Sequence, residues 1–251
     1  MSTIPPTQPS KSYTNQVRST LGTGDLIFIH STSPAGVTIE QLEHELGLPA
    51  YSHVGMVISD NGNLYLWDAP GGGCCFTDPY VSDPDNRLNG QSPIHAGCRV
   101  SELDDVLAYY VTKCDVVGFW LRQLAPAVTP DRFEALRKFI DRVDGLPFPE
   151  GPVGNPEVSG IGLNFLAGQI KGSLFYGTYF CAQLVADSYM HMGLLAMDGY
   201  PPNGYSPAAL GGNDPARMPL VKPATLSDTV FVNWDWKQPT TPGVDCGQGP
   251  C

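Results

Sequence analysis

The chain has 251 residues, of which 42% are hydrophobic and 16% charged, so it can bury a core and its composition excludes general disorder. Its formal net charge of −11 excludes a dedicated nucleic-acid binder or a polybasic membrane anchor, because both need clusters of Lys and Arg. No apolar run approaches the roughly 20 residues that span a bilayer, so no transmembrane segment is expected.

The N-terminal stretch is polar and rich in proline, which predicts a flexible arm over residues 1–21. It has no apolar segment of the kind found in secretory signals. We therefore expect no secretion through a signal peptide, and a protein that is cytoplasmic or associated with a virion.

The first half of the chain predicts three strands and one helix, namely strands over 25–30, 54–58 and 64–67 and a helix over 39–46. Asn61-Gly62 lies between the second and third strands and is a strong signal for a hairpin turn. The stretch that follows is rich in Gly, Pro and Asp, which predicts a loop insertion over residues 69–100.

The second half predicts helices over 102–111, 130–143 and 179–194, and strands over 116–124 and 230–236. Residues 146–177 are again rich in Gly and Pro. We expect a single domain over 22–236, followed by a Gly-, Pro- and Cys-containing tail over 237–251.

Cys181 is the first candidate for chemistry, because it lies near the expected start of the 179–194 helix. Free N–H groups and the helix dipole at such a position favour a thiolate. The alternative interpretation is a buried structural cysteine.

His53 and Asp68 favour a catalytic role for Cys181. His53 begins an apolar strand, where its ring can project from a sheet edge toward a helix N-terminus. An imidazole in that place can take the thiol proton and later protonate the leaving group. If the two strands pair through Asn61-Gly62, Asp68 can lie beside His53 and orient its ring.

The cysteines do not predict a metal site. Their number, seven, is odd, and their spacing does not resemble paired zinc ligands. Whether Cys246 and Cys251 pair in the tail is left open. No metal and no organic cofactor is expected.

Five segments follow one another in a characteristic order: Gly24-Asp25-Leu26-Ile27-Phe28, Tyr51-Ser52-His53-Val54-Gly55-Met56-Val57, Trp67-Asp68-Ala69, Gly145-Leu146-Pro147-Phe148 and Tyr179-Phe180-Cys181-Ala182-Gln183-Leu184-Val185. A sixth, Ser206-Pro207-Ala208-Ala209-Leu210, closes the series. Together they resemble the circularly permuted branch of the NlpC-type papain-like cysteine peptidases, the YiiX-like proteins, in which the His precedes the Cys.

The resemblance implies an α+β, permuted papain-like fold, with an antiparallel sheet packed against a helix that carries the nucleophilic Cys at its N-terminus. It implies that Cys181 is the nucleophile, His53 the general base and Asp68 the orienting group. The backbone N–H of Cys181 would be one oxyanion donor.

We also expect Tyr51, Tyr179 and Phe148 to contact the substrate. Two positions depart from the family pattern. Ala182-Gln183 replaces its Ser-Glu, and Phe148 replaces a Tyr whose hydroxyl would help to hold an oxyanion.

Three functions remain open. The first is a thiol hydrolase, an amidase or endopeptidase, that cleaves a peptide or peptide-like amide bond. The second is an acyltransferase or thioesterase that acts on lipids. The third is a structural component of a large assembly, such as a virion, whose terminal tails become ordered against partner proteins.

Overall fold

The computed structural model describes residues 11–31, 51–70, 74–77, 94–95, 97–113, 116–149, 165–169, 177–197, 199–234 and 244–245. The helix expected over 39–46 and most of the 237–251 tail lie outside these residues. Within the described part of the chain, no helix is both long and apolar enough to cross a bilayer.

The main element of the described chain is a mixed seven-stranded sheet with the order β1-β11-β8-β2-β3-β4-β7. Its strands are β1 (Lys11–Ser12), β2 (Leu26–Ser31), β3 (His53–Asp60), β4 (Asn63–Asp68), β7 (Arg99–Glu102), β8 (Val116–Arg122) and β11 (Val230–Asn233). All neighbours pair antiparallel except β1 and β11, which are parallel. The sheet, expected to be antiparallel, therefore contains one parallel pair at this edge.

Among the described residues, five short strands lie outside the main sheet, and helices cover both of its faces. The strands are β5 (Cys74–Thr77), β6 (Ile94–His95), β9 (Leu124–Ala125), β10 (Thr225–Leu226) and β12 (Val244–Asp245). The α-helices are α1 (Asn15–Arg18), α2 (Leu103–Lys113), α3 (Pro130–Val143), α4 (Cys181–His191) and α5 (Pro207–Gly211), and Pro202–Gly204 forms a 3-10 helix.

The β3–β4 hairpin forms around the predicted turn. Asn61 and Gly62 both have positive φ, 50° and 82°, which is the conformation that lets a two-residue turn match the twist of its strands. The turn sets the register in which Met56 opposes Trp67 and Asp60 opposes Asn63. Asp68 consequently falls at the end of β4, near the beginning of β3.

Alternation along the strands divides the apolar side chains between two cores. Val54, Met56 and Trp67 belong to the core that includes α3 and α4. Val57 and Leu66 belong to the core that includes α2. Trp67 also donates its Nε1–H to Ser188 Oγ at 3.0 Å, which ties α4 to the sheet.

Two segments are more structured than the sequence predicts. In the expected arm over 1–21, β1 pairs with β11 and Tyr13 is only 1% exposed, because its ring stacks on Trp234 and its hydroxyl donates to Asp104. In the expected loop over 69–100, β5 pairs with β6 and β7 joins the main sheet. Both segments form strands by pairing with residues distant in sequence, and the pattern of neighbouring residues does not reveal such pairing.

Candidate active site

Cys181 is the first residue of α4, two positions later than the expected start of that helix. Phe180 is the N-cap residue, and its carbonyl accepts the Leu184 N–H at 3.0 Å. The first turn contains no acidic residue that would repel a thiolate. The Cys181 side chain thus lies where the helix dipole favours a negative charge, in a residue that is 5% exposed.

The Gly145–Phe148 segment fixes the chain just before Cys181. The Leu146 carbonyl accepts the Cys98 N–H at 2.9 Å, and the Gly145 N–H donates to the Cys98 carbonyl at 2.8 Å. The Pro147 carbonyl accepts the Tyr179 N–H at 3.1 Å. These bonds connect the beginning of β7 to the residues that lead into α4.

This connection can be tested at Gly97, where φ is +93° and a Cβ atom would overlap the Leu146 carbonyl oxygen. Gly97→Ala is expected to lower the free energy of unfolding by about 2–4 kcal/mol, the sum of left-handed strain and overpacking. Gly62→Ala is the matched control, because Gly62 also has positive φ but nothing lies within 4 Å of its Cβ position. Urea denaturation of the two variants should show the larger loss at Gly97; equal losses would mean that the contact with Leu146 is unimportant.

His53 begins β3 and opposes Ile29 on β2. Its ring Nε2 lies 3.1 Å from Asp68 Oδ2, and its side chain is 15% exposed. The expected contact between His53 and Asp68 is therefore present. The two residues come from adjacent strands of the hairpin, as the Asn61-Gly62 turn requires.

Two further side chains hold Asp68, which has no exposed surface. Arg99 directly opposes Asp68 on β7, and its Nε donates to Asp68 Oδ1 at 3.3 Å. The Tyr110 hydroxyl, from α2, donates to Asp68 Oδ2 at 2.8 Å and lies 3.5 Å from His53 Nε2. Asp68 thus connects a ring on β3, a guanidinium on β7 and a phenol on α2.

The charges of this cluster are coupled. Burial alone lowers the pKa of His53, but the nearby Cys181, the hydrogen bond to Asp68 and the charge of Asp68 together raise that pKa to about 9. Burial alone raises the pKa of Asp68, but Arg99, His53 and Tyr110 hold it below its ordinary value. Both shifts favour the charged forms, an imidazolium at His53 and a carboxylate at Asp68.

Cys181 and His53 come from elements on opposite faces of the sheet. His53, like Ile29, belongs to the face that α2 covers, whereas α4 packs on the opposite face. Cys181 is nevertheless close enough to His53 to be among the groups that raise the pKa of the ring.

The three expected substrate contacts lie in different surroundings. Tyr51 is 2% exposed and packs between Phe28 and Trp120, so the structure places it in the core and not on an open surface. Tyr179 and Phe148 are half-buried. The Tyr179 hydroxyl donates to Asp187 Oδ2 at 2.7 Å, and the Phe148 side chain packs against the core.

Arg99 and Tyr110 are the site residues that sequence reasoning missed. Arg99 falls in the stretch whose composition predicts a loop, where a charge between apolar Cys98 and Val100 gives no sign of a buried strand residue. Tyr110 carried a usable signal, because Leu103, Val106, Leu107 and Tyr110 follow the spacing of one helix face. Among the described residues, no group of three or more His, Cys, Asp or Glu side chains is arranged to hold a metal ion.

The chain matches no protein-family model and no curated protein. Among solved structures, it is similar to the crystal structure of the metalloprotein yiiX from Escherichia coli O157:H7, with 16% sequence identity and a TM-score of 0.42. The match covers 68% of this chain and 66% of that chain, so the chain spans just under two thirds of the length of this neighbour. At this level of similarity, function has to be argued from the site itself.

Proposed function

We propose that this protein is a permuted papain-like thiol hydrolase that cleaves an amide bond in a peptide or peptide-like substrate. One observation carries the proposal: Cys181 begins α4 close enough to His53 to raise the pKa of its ring, and Asp68 holds that ring through Nε2. A nucleophile, a base within reach and a third group that orients the base are the parts that covalent catalysis by a thiol needs.

In the first step, the Cys181 thiolate attacks the carbonyl carbon of the substrate and forms a tetrahedral intermediate. The negative charge on its oxygen is stabilised by the N–H groups at the beginning of α4. The carbon–nitrogen bond then breaks, and the His53 imidazolium donates its proton to the departing amine. A thioester to Cys181 and a neutral His53 remain.

In the second step, His53 accepts a proton from a water molecule, which attacks the thioester. The carbon–sulfur bond breaks, the acid product leaves, and the Cys181 and His53 ion pair forms again. Since Nε2 of the ring is engaged by Asp68, Nδ1 is the nitrogen available to exchange protons with the thiol and the substrate.

The substrate side of the site includes Tyr179 and Phe148 in this proposal. The Tyr179 N–H donates to the carbonyl of Pro147, the residue before Phe148, so the two side chains come from neighbouring segments. Of the three expected substrate contacts, these two keep some exposed surface. The Tyr179 hydroxyl is engaged by Asp187 and both rings pack in part against the core, so a substrate would contact the part of each ring that stays exposed. Aromatic faces suit an extended peptide with apolar groups.

The proposal is tested by mapping thiol modification with mass spectrometry. At pH 6, iodoacetamide is expected to modify Cys181 well before Cys98, whose pKa is raised well above its ordinary value by burial and by Asp144. Cys181→Ser should abolish this early modification. If Cys181 reacts no faster than the other thiols, the hydrolase proposal is wrong, and the interpretation as an assembly component gains support.

The charge of His53 gives a second readout. The ring remains an imidazolium up to a pKa of about 9, so it attracts an anionic reagent below that pH and loses this attraction above it. The rate of Cys181 modification by iodoacetate should therefore fall as the pH rises through about 9, whereas the rate with neutral iodoacetamide should not. Parallel profiles for the two reagents would contradict the ion pair.

A further inference from the structure

The third group of this site is a carboxylate, which creates an electrostatic problem for a thiolate. An ionised Asp68 stabilises the His53 imidazolium, but its negative charge also opposes a second negative charge on Cys181. Both acidic side chains are buried, so water screens this opposition only weakly. A carboxylate in this position needs a compensating charge.

Arg99 lies where that charge is required. Its side chain has no exposed surface, and it bonds Asp68 through Oδ1 while His53 uses Oδ2. The Asp68 carboxylate thus contacts the Arg99 guanidinium through one oxygen and the His53 ring through the other. With the thiolate included, the cluster contains two positive and two negative charges and is neutral as a whole.

The other titratable groups around the cluster leave this balance intact. Burial and Asp68 raise the pKa of Tyr110 well above its ordinary value, so the phenol stays a neutral donor. Cys98, next to Arg99 in the chain, also remains a neutral thiol. Arg99 is therefore the group in this cluster that can offset the charge of Asp68.

We propose that Arg99 is a positioning residue for the hydrolase: it neutralises Asp68, so that the positive charge of His53 is left to stabilise the Cys181 thiolate. Tyr110 fixes the orientation of the carboxylate by its bond to Oδ2. This inference rests on the proposed function, because it assigns Arg99 a role in forming the same ion pair.

The test is the pH dependence of Cys181 modification by iodoacetamide in Arg99→Met. Removing the guanidinium leaves a buried negative charge that disfavours the thiolate. The acid midpoint, the pH at which the modification rate has risen to half of its plateau, is therefore expected to rise by about 1 pH unit. The alkaline fall with iodoacetate should move upward too, because the imidazolium is then held more tightly. Arg99→Lys keeps the charge and should keep both midpoints near those of the wild type.

A double variant separates charge balance from packing. Asp68→Asn combined with Arg99→Met removes one charge of each sign, so its acid midpoint should return toward the wild-type value. Arg122→Met is the matched control, since Arg122 is a buried arginine that bonds the carbonyls of Leu210 and Gly212 away from the site. That change should lower the melting temperature without moving either midpoint.

The two proposals fail in different ways. If wild-type Cys181 is not selectively modified at pH 6, the proposed function itself is wrong. If the wild type is selectively modified but Arg99→Met lowers the rate equally at every pH with unmoved midpoints, Arg99 is only structural and the charge-balance proposal is overturned.

Discussion

His53→Ala is expected to lower the rate at which iodoacetamide modifies Cys181 at pH 6 by about 100-fold. The physical reason is the ionised fraction of the thiol. A cysteine with an ordinary pKa of about 8.5 is roughly 0.3% thiolate at pH 6. A neighbouring imidazolium favours the thiolate and so raises the reactive fraction, and the lower nucleophilicity of such a thiolate reduces the gain in rate. The measurement is the second-order rate constant, with the modified site mapped by mass spectrometry.

Two further variants make this prediction specific. His53→Gln keeps an amide that can still bond Asp68, so a similar loss of rate would show that the titrating ring is required and not merely the packing. His191→Ala is the matched control, because His191 lies at the other end of α4 and contacts Asp187. A His53→Ala variant that remains folded and reacts at the wild-type rate would refute the pair.

Asp68→Ala is expected to lower the free energy of unfolding at pH 7 by about 3–5 kcal/mol, as found when one partner of a buried ion pair is removed. The variant leaves the Arg99 guanidinium, which has no exposed surface, without its carboxylate, and removes the acceptor of the Tyr110 hydroxyl. Urea denaturation measures the loss. Replacing both members of the pair, as in Asp68→Asn with Arg99→Met, should recover part of it.

The pH dependence of this loss has a definite sign. The pKa of Asp68 is lower in the folded chain than in the unfolded one, so its contribution is present above the unfolded value of about 3.9 and disappears as the pH falls through the lower folded value. The stability difference between wild type and Asp68→Ala should therefore be largest near neutrality and should shrink in acid. A difference that stays constant down to pH 3 would contradict the assignment.

The chain contains a close counterpart for use as a control. Asp104 also accepts a tyrosine hydroxyl, from Tyr13 at 2.7 Å, and an arginine Nε, from Arg18 at 2.9 Å. Its side chain is 25% exposed, so solvent screens the charges. Asp104→Ala should cost only about 1 kcal/mol and leave the reactivity of Cys181 unchanged.

Several features of the fold could be predicted from the sequence because they depend on neighbouring residues. Asn61-Gly62 predicts the hairpin, since only residues that tolerate positive φ can form its turn. Thr129-Pro130 predicts the start of the helix that ends at Val143, because proline suits the first helical turn. The turn also places Asp68 near His53, so this contact follows from local pattern and strand pairing alone.

Other features were decided by tertiary structure. Arg99 is 31 residues from Asp68 and Tyr110 is 42 residues from it, and both meet the carboxylate only because β7 joins β4 and α2 packs on the same face. Tyr51 shows that closeness in sequence does not place a residue in the site. It is two residues from His53, yet it packs against Phe28 and Trp120 in the core. Residue types and turns therefore identify candidates for the site, while long-range strand pairing determines which buried charges surround Asp68.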